Sequence, residues 1–265
     1  MQIIVQPQGG LCNRMRTIAG AASLSSKFDC CLTVFWVSDP SLNIKFTDLF
    51  SLPSSVKIVE YKLTSLKYKL MFHLYKDVLR YQILDDAWVY RFARGKEFET
   101  WRHLVDGKNI FLISSADILF DGDYCSLFRP NMEMVQSLNT ANCGKDTIGI
   151  HIRRTDNANA VKYSPTHLFV SRVHKELETN PETRFYLATD DPKEEDMFKN
   201  EFGDKIMIYE KHSLDRNNPI AVKDALVDLY NLSCCKKILA SYYSSFSDVA
   251  ALWGNIEKEV IKTNK

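Results

Sequence analysis

The chain has 265 residues, enough for one large domain or two small ones, and its 45% hydrophobic and 25% charged shares are those of a folded globular protein. Lys and Arg (34) nearly balance Asp and Glu (33), and the net charge of +1 gives no bulk electrostatic attraction to nucleic acid or to a membrane surface. No run of about 18 apolar residues is present to span a bilayer.

The opening residues, MQIIVQPQGG, lack a basic segment followed by an apolar core, so no signal peptide and a cytoplasmic location are expected. "QIIVQP" reads as a first strand. "GGLCNRM" follows as a tight turn into a helix running through "RTIAGAASLSSKF". "CCLTVFWV" is a continuous apolar, β-rich run, hence a buried strand ended by Asp39-Pro40. "VKIVEY" and "NIFLISS" have the same character. Between them "KYKLMFHLYKDVLRYQIL" places Leu70, Phe72, Leu74, Val78, Leu79 and Ile83 at roughly helical spacing.

A polar stretch, "NTANCGKD" (residues 139 to 146), sets a boundary between an N-terminal domain, 1–140, and a C-terminal domain, 141–265. Beyond it, strands at "TIGIHIR", "RFYLATD", "KIMIYE" and "KKILAS" alternate with helices. Those helices fall at "SPTHLFVSRVHKELETN", with Ser164 as N-cap, at "PKEEDMFKNEF", at "PIAVKDALVDLYNLSCC" and from "SDVAALWG". This alternation predicts α/β architecture with parallel sheets: two Rossmann-like domains facing a cleft, with ligands beyond the carboxyl ends of the strands.

The seven cysteines (Cys12, Cys30, Cys31, Cys125, Cys143, Cys234, Cys235) are odd in number and lack CxxC spacing. They are expected to be mostly buried, reduced thiols.

Four segments carry chemistry. Gly9 and Gly10 open "GGLCNR" (with Asn13 and Arg14) between a strand and a helix, where backbone N–H groups suit an anion; a plain tight turn explains them equally well. In "IGIHIRRTDN", Ile148, Ile150 and Ile152 alternate on a strand that ends in His151, Arg153, Arg154 and Asp156. Adjacent arginines on a strand face opposite ways, so one can aim at a phosphate while the other braces the loop. The competing reading is an ion-pair network with Asp156. In "VDLYNLSCCKKILASYYSSFSD", Asp228 falls about 100° from the centre of its helix's apolar stripe, partly buried, whereas Asp224 falls at roughly 140° and is expected in solvent. Ser247 is the expected N-cap of the last helix, which leaves Ser244 and Ser245 for phosphate. In "YLATDDP", Asp190 and Asp191 suit ribose hydroxyls or helix capping, with capping favoured for Asp191.

Together these segments resemble the GT-B fucosyltransferase superfamily, which includes α1,6-, α1,2- and protein O-fucosyltransferases. "HIRRTD" looks like its HxRRxD motif, whose arginine binds the GDP diphosphate. "GGLCNR" is similar to its GGxGN loop and "YLATDDP" to its third-strand motif. "LVDLYNLS" with "YYSSFS" resembles the C-terminal motif, in which an aspartate reads guanine and serines hold phosphate. The resemblance implies an inverting transfer of fucose, or another hexose, from a GDP-sugar to a glycan, with no metal and no cofactor. It implies that Arg153 holds the diphosphate, His151 lines the nucleotide pocket, and Arg154 braces it with Asp156. Asp228 would accept from guanine N–H groups, Asp190, Ser244 and Ser245 would contact the nucleotide, and Gly9, Gly10 and Asn13, with Arg14 beside them, would close over the donor.

Cys12 departs from the family's second glycine, and "NANAVKYS" (157 to 164) offers no carboxylate to act as base. These departures leave room for a binding module of the same fold that transfers nothing. Bacterial surface-polysaccharide synthesis suits the resemblance, as does peripheral membrane association on lipid-linked glycans. Acceptor contacts are expected from residues 60 to 110. Nothing in the sequence speaks to oligomeric state.

Overall fold

A computed structural model describes residues 1–138, 143–155, 157–213, 215 and 217–263 of the chain. Asp156 therefore lies outside the described residues, as do residues 139–142 at the expected domain boundary. The chain divides into two compact units, Met1–Met132 with Asp215–Val222 and Glu133–Leu214 with Lys223–Lys265. Among the described residues, each unit carries one five-stranded parallel sheet.

The first sheet comprises β1 (Gln2–Pro7), β2 (Cys31–Ser38), β3 (Lys57–Lys62), β4 (Gln82–Asp85) and β5 (Ile110–Ser114), in the order β3-β2-β1-β5-β4. The continuous apolar run of β2 is buried over six consecutive residues, as expected for a parallel strand covered on both faces. Ile4, Phe35, Val37 and Phe111 form one such face. Tyr68, Met71, Phe72 and Tyr75 pack onto it from a helix, Leu66–His73, that continues as a π-helical turn, Leu74–Val78. The sequence pattern carries that helix on through Ile83. In the structure the chain breaks at Arg80, whose φ of +52° is left-handed, and Ile83 instead pairs beside Phe111 in the edge strand β4. The first helix, Leu11–Lys27, begins directly at Leu11, so the preceding loop is only Gln8 to Gly10.

The second sheet comprises β6 (Thr147–Ile152), β7 (Arg184–Thr189), β8 (Ile206–Met207), β9 (Lys237–Ser241) and β10 (Glu257–Ile261), in the order β10-β9-β6-β7-β8. Side chains alternate along β6. Ile148, Ile150 and Ile152 face Phe169 and Val173 of the helix Thr166–Thr179 and Phe198 of the helix Pro192–Phe202. Gly149 faces the helix Pro219–Ser233 on the other side, where a Cβ would stand 2.9 Å from Leu232 Cδ2. The result is a three-layer α/β/α unit.

Four local expectations need correction. The strand expected over "KIMIYE" shrinks to two residues, because Tyr209 leaves the sheet to donate to Asp224 (3.0 Å). Ser164 does not cap the helix that follows; Pro165 holds the cap position, and the Ser164 hydroxyl instead donates to the Ile261 carbonyl (2.5 Å) and accepts from the Tyr242 N–H (2.8 Å). β10 and a short helix, Ala158–Tyr163, were not anticipated. The seven cysteines are free, but only Cys12 and Cys235 are buried, while Cys31 and Cys125 are exposed. Asp191 does cap its helix, accepting from the Lys193 N–H at 3.0 Å. Among the described residues, no helix is long and apolar enough to cross a membrane.

Candidate functional site

In the second unit the chain moves outward from β6 through β7 to β8, then returns to the other side of β6 for β9. β6 and β9 therefore flank a topological switch point, where open parallel sheets leave a crevice at the strands' carboxyl ends. Direct pairing of β6 with β9 ends at His151 and Ala240. The next link is the Arg153 N–H to Ser241 Oγ, 3.0 Å. The two strands separate there, and the residues that follow them are the ones the sequence marked.

Arg153 and Arg154 have different surroundings. The Arg154 guanidinium donates through Nε to Glu194 (2.6 Å), through Nη2 to Thr166 (2.9 Å) and through Nη1 to the Arg153 carbonyl (3.0 Å). Its fork is thereby consumed in tying β6 to two helices. Arg153 is twice as exposed, at 22% against 11%, and pairs through Nη1 with Asp190 at 3.0 Å. Asp190 also accepts from the Arg154 N–H (2.8 Å) and the Thr155 hydroxyl (2.6 Å). Burial alone would raise the Asp190 pKa, but the Thr155 hydrogen bond and the Arg153 charge outweigh it and hold the group below its ordinary value.

His151 is buried and stacks on Phe246, with ring centroids 4.9 Å apart. Burial, reinforced by the charge of Arg153, lowers its pKa to about 3, so the ring is neutral at any working pH. Its Nδ1 has no hydrogen-bond partner among the described residues. After β9, Tyr243 takes a left-handed φ of +59°, and the helix Ser245–Gly254 begins. Its N-cap residue is Ser244, not Ser247, and the Ser244 hydroxyl makes no capping bond; Ser247 sits in the first turn and donates to the Ser244 carbonyl (3.2 Å). The N–H groups of this turn have no intrahelical partners and carry the positive end of the helix dipole. His151, Arg153, Ser244 and Ser245 thus come to one end of one sheet, an arrangement suited to an anion with several oxygens.

Asp228 is placed differently from the expectation. It is buried beside the sheet, not at an open border: Oδ1 accepts from the Tyr186 hydroxyl at 2.6 Å and Oδ2 faces Lys211 Nζ at 3.3 Å. Burial raises its pKa to about 6, only partly offset by Lys211 and Tyr186. Asp224, expected in solvent, is buried too. It accepts from the Tyr209 hydroxyl (3.0 Å) and from the backbone N–H groups of His212 (2.7 Å) and Ser213 (3.2 Å), and so fixes that loop. Sequence reasoning missed Glu194, Lys211 and Phe246. Phe246 had a signal, an aromatic residue inside a serine cluster; Glu194 had none, because acids in a first helical turn are ordinarily solvated.

In the first unit, Gly9 has a φ of +75° and Gly10 is the N-cap of the helix Leu11–Lys27. Arg14 is fully buried: Nε donates to the Gly9 carbonyl (2.8 Å), Nη1 to the Val37 carbonyl (2.6 Å) and Nη2 to Asp39 (2.8 Å), with the guanidinium over Trp36. It brackets the glycine loop to the end of β2 and is closed to a ligand, which corrects its assignment as a nucleotide contact. Asn13 is half-buried and accepts from Arg16 at 3.0 Å.

No protein-family model matches the sequence, and no curated protein does. Solved structures do. NodZ α1,6-fucosyltransferase soaked with GDP-fucose superimposes with a TM-score of 0.63 at 16% identity, over 95% of this chain and 92% of that one; the NodZ enzyme is from Bradyrhizobium. POFUT1 in complex with GDP gives 0.58 at 10% identity over 98% of both chains. A mutant of Arabidopsis thaliana FUT1 in complex with GDP gives 0.61 at 13% identity, over 98% of this chain and 69% of that one. The chain has the fold of these GT-B fucosyltransferases. The likeness is one of architecture, two parallel α/β sheets.

Proposed function

We propose that the chain is an inverting glycosyltransferase that moves fucose from GDP-fucose to a glycan hydroxyl without a metal ion. The observation that carries this reading is the partly exposed Arg153 at the switch point of the second unit, at the same end of the sheet as the start of the helix Ser245–Gly254. The GT-B fold supports the class of reaction, and the neighbours crystallised with GDP or GDP-fucose support the donor.

The chemistry follows from charge. As the acceptor hydroxyl oxygen bonds to the anomeric carbon from one face, the bond to the phosphate oxygen breaks on the other. GDP leaves with that electron pair, and the hydroxyl proton is released to solvent or to the departing diphosphate. Negative charge grows on the terminal phosphate. Arg153, already charged, and the helix N–H groups stabilise it more than they stabilise the intact donor, which is the condition for catalysis. Asp190 holds the guanidinium before the donor arrives. His151 is neutral, so its unpaired Nδ1 can exchange a hydrogen bond with the ligand without altering the charge there. Because Asp228 is occupied by Tyr186 and Lys211, its role in this reading is to support the pocket wall rather than to meet the base directly.

Calorimetric titration with GDP, GDP-fucose, GDP-mannose and UDP, without added metal, tests this. Binding of the guanine nucleotides and not UDP is expected, with the sugar ranking separating fucose from another hexose. Failure to bind any GDP compound would overturn the reading. A transfer rate abolished by a chelator would overturn metal independence alone.

A further inference from the structure

The segment from Lys62 to Arg80 in the first unit has no part in the site described. Its helix, Leu66–His73, is apolar on two sides. At about 100° per residue, with Leu66 at zero, Met71, Tyr68 and Phe72 fall near 140°, 200° and 240°. These are the residues that pack onto the sheet. Leu70 falls near 40°, on the opposite side, flanked by Lys67 near 100° and Lys69 near 300°. Leu66 is 71% exposed and Leu70 59%; beyond the helix, Val78 and Leu79 are exposed as well. A surface helix ordinarily carries one apolar face and buries it; this one carries a second, which is exposed.

The charges on the segment point the same way. Lys62, Lys67, Lys69, Lys76 and Arg80 are all exposed, and none has a carboxylate partner among the described residues. The single acid in the segment, Asp77, is paired with His73 at 2.8 Å. A chain of net charge +1 thus gathers around exposed leucines five cations that lack a carboxylate partner among the described residues, Lys67 and Lys76 lying over the rings of Tyr61 and Phe72. Leucines flanked by lysines suit the boundary between acyl chains and anionic headgroups: the apolar side chains enter, and the long lysine stems keep their ammonium groups among the phosphates. A protein partner would need acids spaced to match each lysine, whereas a membrane surface supplies anions at any spacing.

We propose that the outer face of Leu66–His73, with Lys62, Lys76 and Arg80 around it, is a docking surface for an anionic lipid bilayer. The surface is independent of the transferase reading, because it is measured by binding and not by turnover.

The experiment is cosedimentation of the full chain with vesicles of phosphatidylcholine alone and of phosphatidylcholine mixed with phosphatidylglycerol. Binding to the mixed vesicles only, weakened by added salt, is expected. Leu66→Ser with Leu70→Ser should abolish it, and Lys67→Ala with Lys69→Ala should lower the partition coefficient about tenfold or more. All four residues are exposed, so circular dichroism melting should be unchanged in both variants. No binding to anionic vesicles, or binding that both variants retain, would overturn the proposal. So would a dimer in analytical ultracentrifugation that Leu66→Ser with Leu70→Ser converts to monomer, since the face would then belong to a second copy.

Discussion

Arg14 and Arg153 arise in similar places, each shortly after the first strand of a parallel sheet, and the structure uses them in opposite ways. Arg14 is fully buried, and its donors are fixed by two carbonyls and Asp39. Arg153 keeps 22% of its side chain exposed, and the Asp190 carboxylate that it meets is itself partly exposed at 17%. A guanidinium whose fork meets rigid backbone carbonyls has no freedom left for a ligand. One that meets a partly exposed carboxylate at the end of a sheet can trade or share that partner. What separates the two arginines is the exposure and chemistry of their partners, not position in the fold.

The largest expected effect breaks this contrast directly. Arg153→Ala should lower turnover by about 10²–10³-fold, the range for removing one preorganised donor to a developing oxyanion, with little change in melting temperature. Arg154→Ala should do the reverse and act mainly on stability, because it leaves the buried Glu194 without its cation, with only the Thr166 hydroxyl still donating to it among the described residues. Steady-state kinetics and thermal melting on both variants decide the matter. Equal losses of turnover at equal stability would remove the distinction.

Arg14→Met comes next. It keeps apolar volume over Trp36 but strips the hydrogen bonds to Gly9, Val37, Asp39 and Ser41 that hold the glycine loop to the end of β2. Unfolding free energy should fall by about 3 kcal/mol, as for a broken buried pair, measured by urea denaturation. A variant as stable as the parent would return Arg14 to the list of ligand contacts.

A third comparison is between Asp190, whose pKa is held low, and Asp228, whose pKa is raised to about 6. A carboxyl that binds its proton more tightly when folded stabilises the protein at low pH. That contribution is complete below the unfolded value, near 4, and is lost as pH rises through about 6. Between those limits the parent should therefore lose stability with rising pH relative to Asp228→Asn. His151, depressed to about 3, acts in the opposite sense and is common to both proteins, so it cancels in the difference. A flat difference across that range would mean that Lys211 compensates Asp228 fully.

How much of this was legible in the sequence depended on the range of the interactions. The central strands could be read because burial on both faces makes apolar runs, as in "CCLTVFWV", and the cap Asp191 because it acts within two residues. Edge elements could not: β8 is cut short by a hydrogen bond from Tyr209 to a helix 15 residues away in sequence. The same limit applied to the site. The positions of Arg153, His151 and Ser244 followed from strand ends. That Asp228 would be sealed by Tyr186, 42 residues distant, and that Arg14 would reach Val37 and Asp39 depended on tertiary contacts with no periodic signature.

The smallest effect sharpens the role of the glycine loop, which Arg14 holds from behind. Gly9 has a φ of +75°, and a Cβ there would stand 3.0 Å from Asn13 Nδ2. Gly9→Ala should cost about 1–2 kcal/mol of stability from the strained backbone, since the Asn13 amide is the end of a side chain that can move aside. If Gly9 serves only as a tight turn, the loss will stop there, and KM for the donor will match the parent's at a temperature where both are folded. If the backbone approaches the donor closely, the added methyl will raise KM for the GDP-sugar while kcat changes little, because a contact made equally in the bound and transition states acts on binding alone. The ratio of the two kinetic constants therefore separates a turn from a binding loop, which the stability loss by itself cannot do.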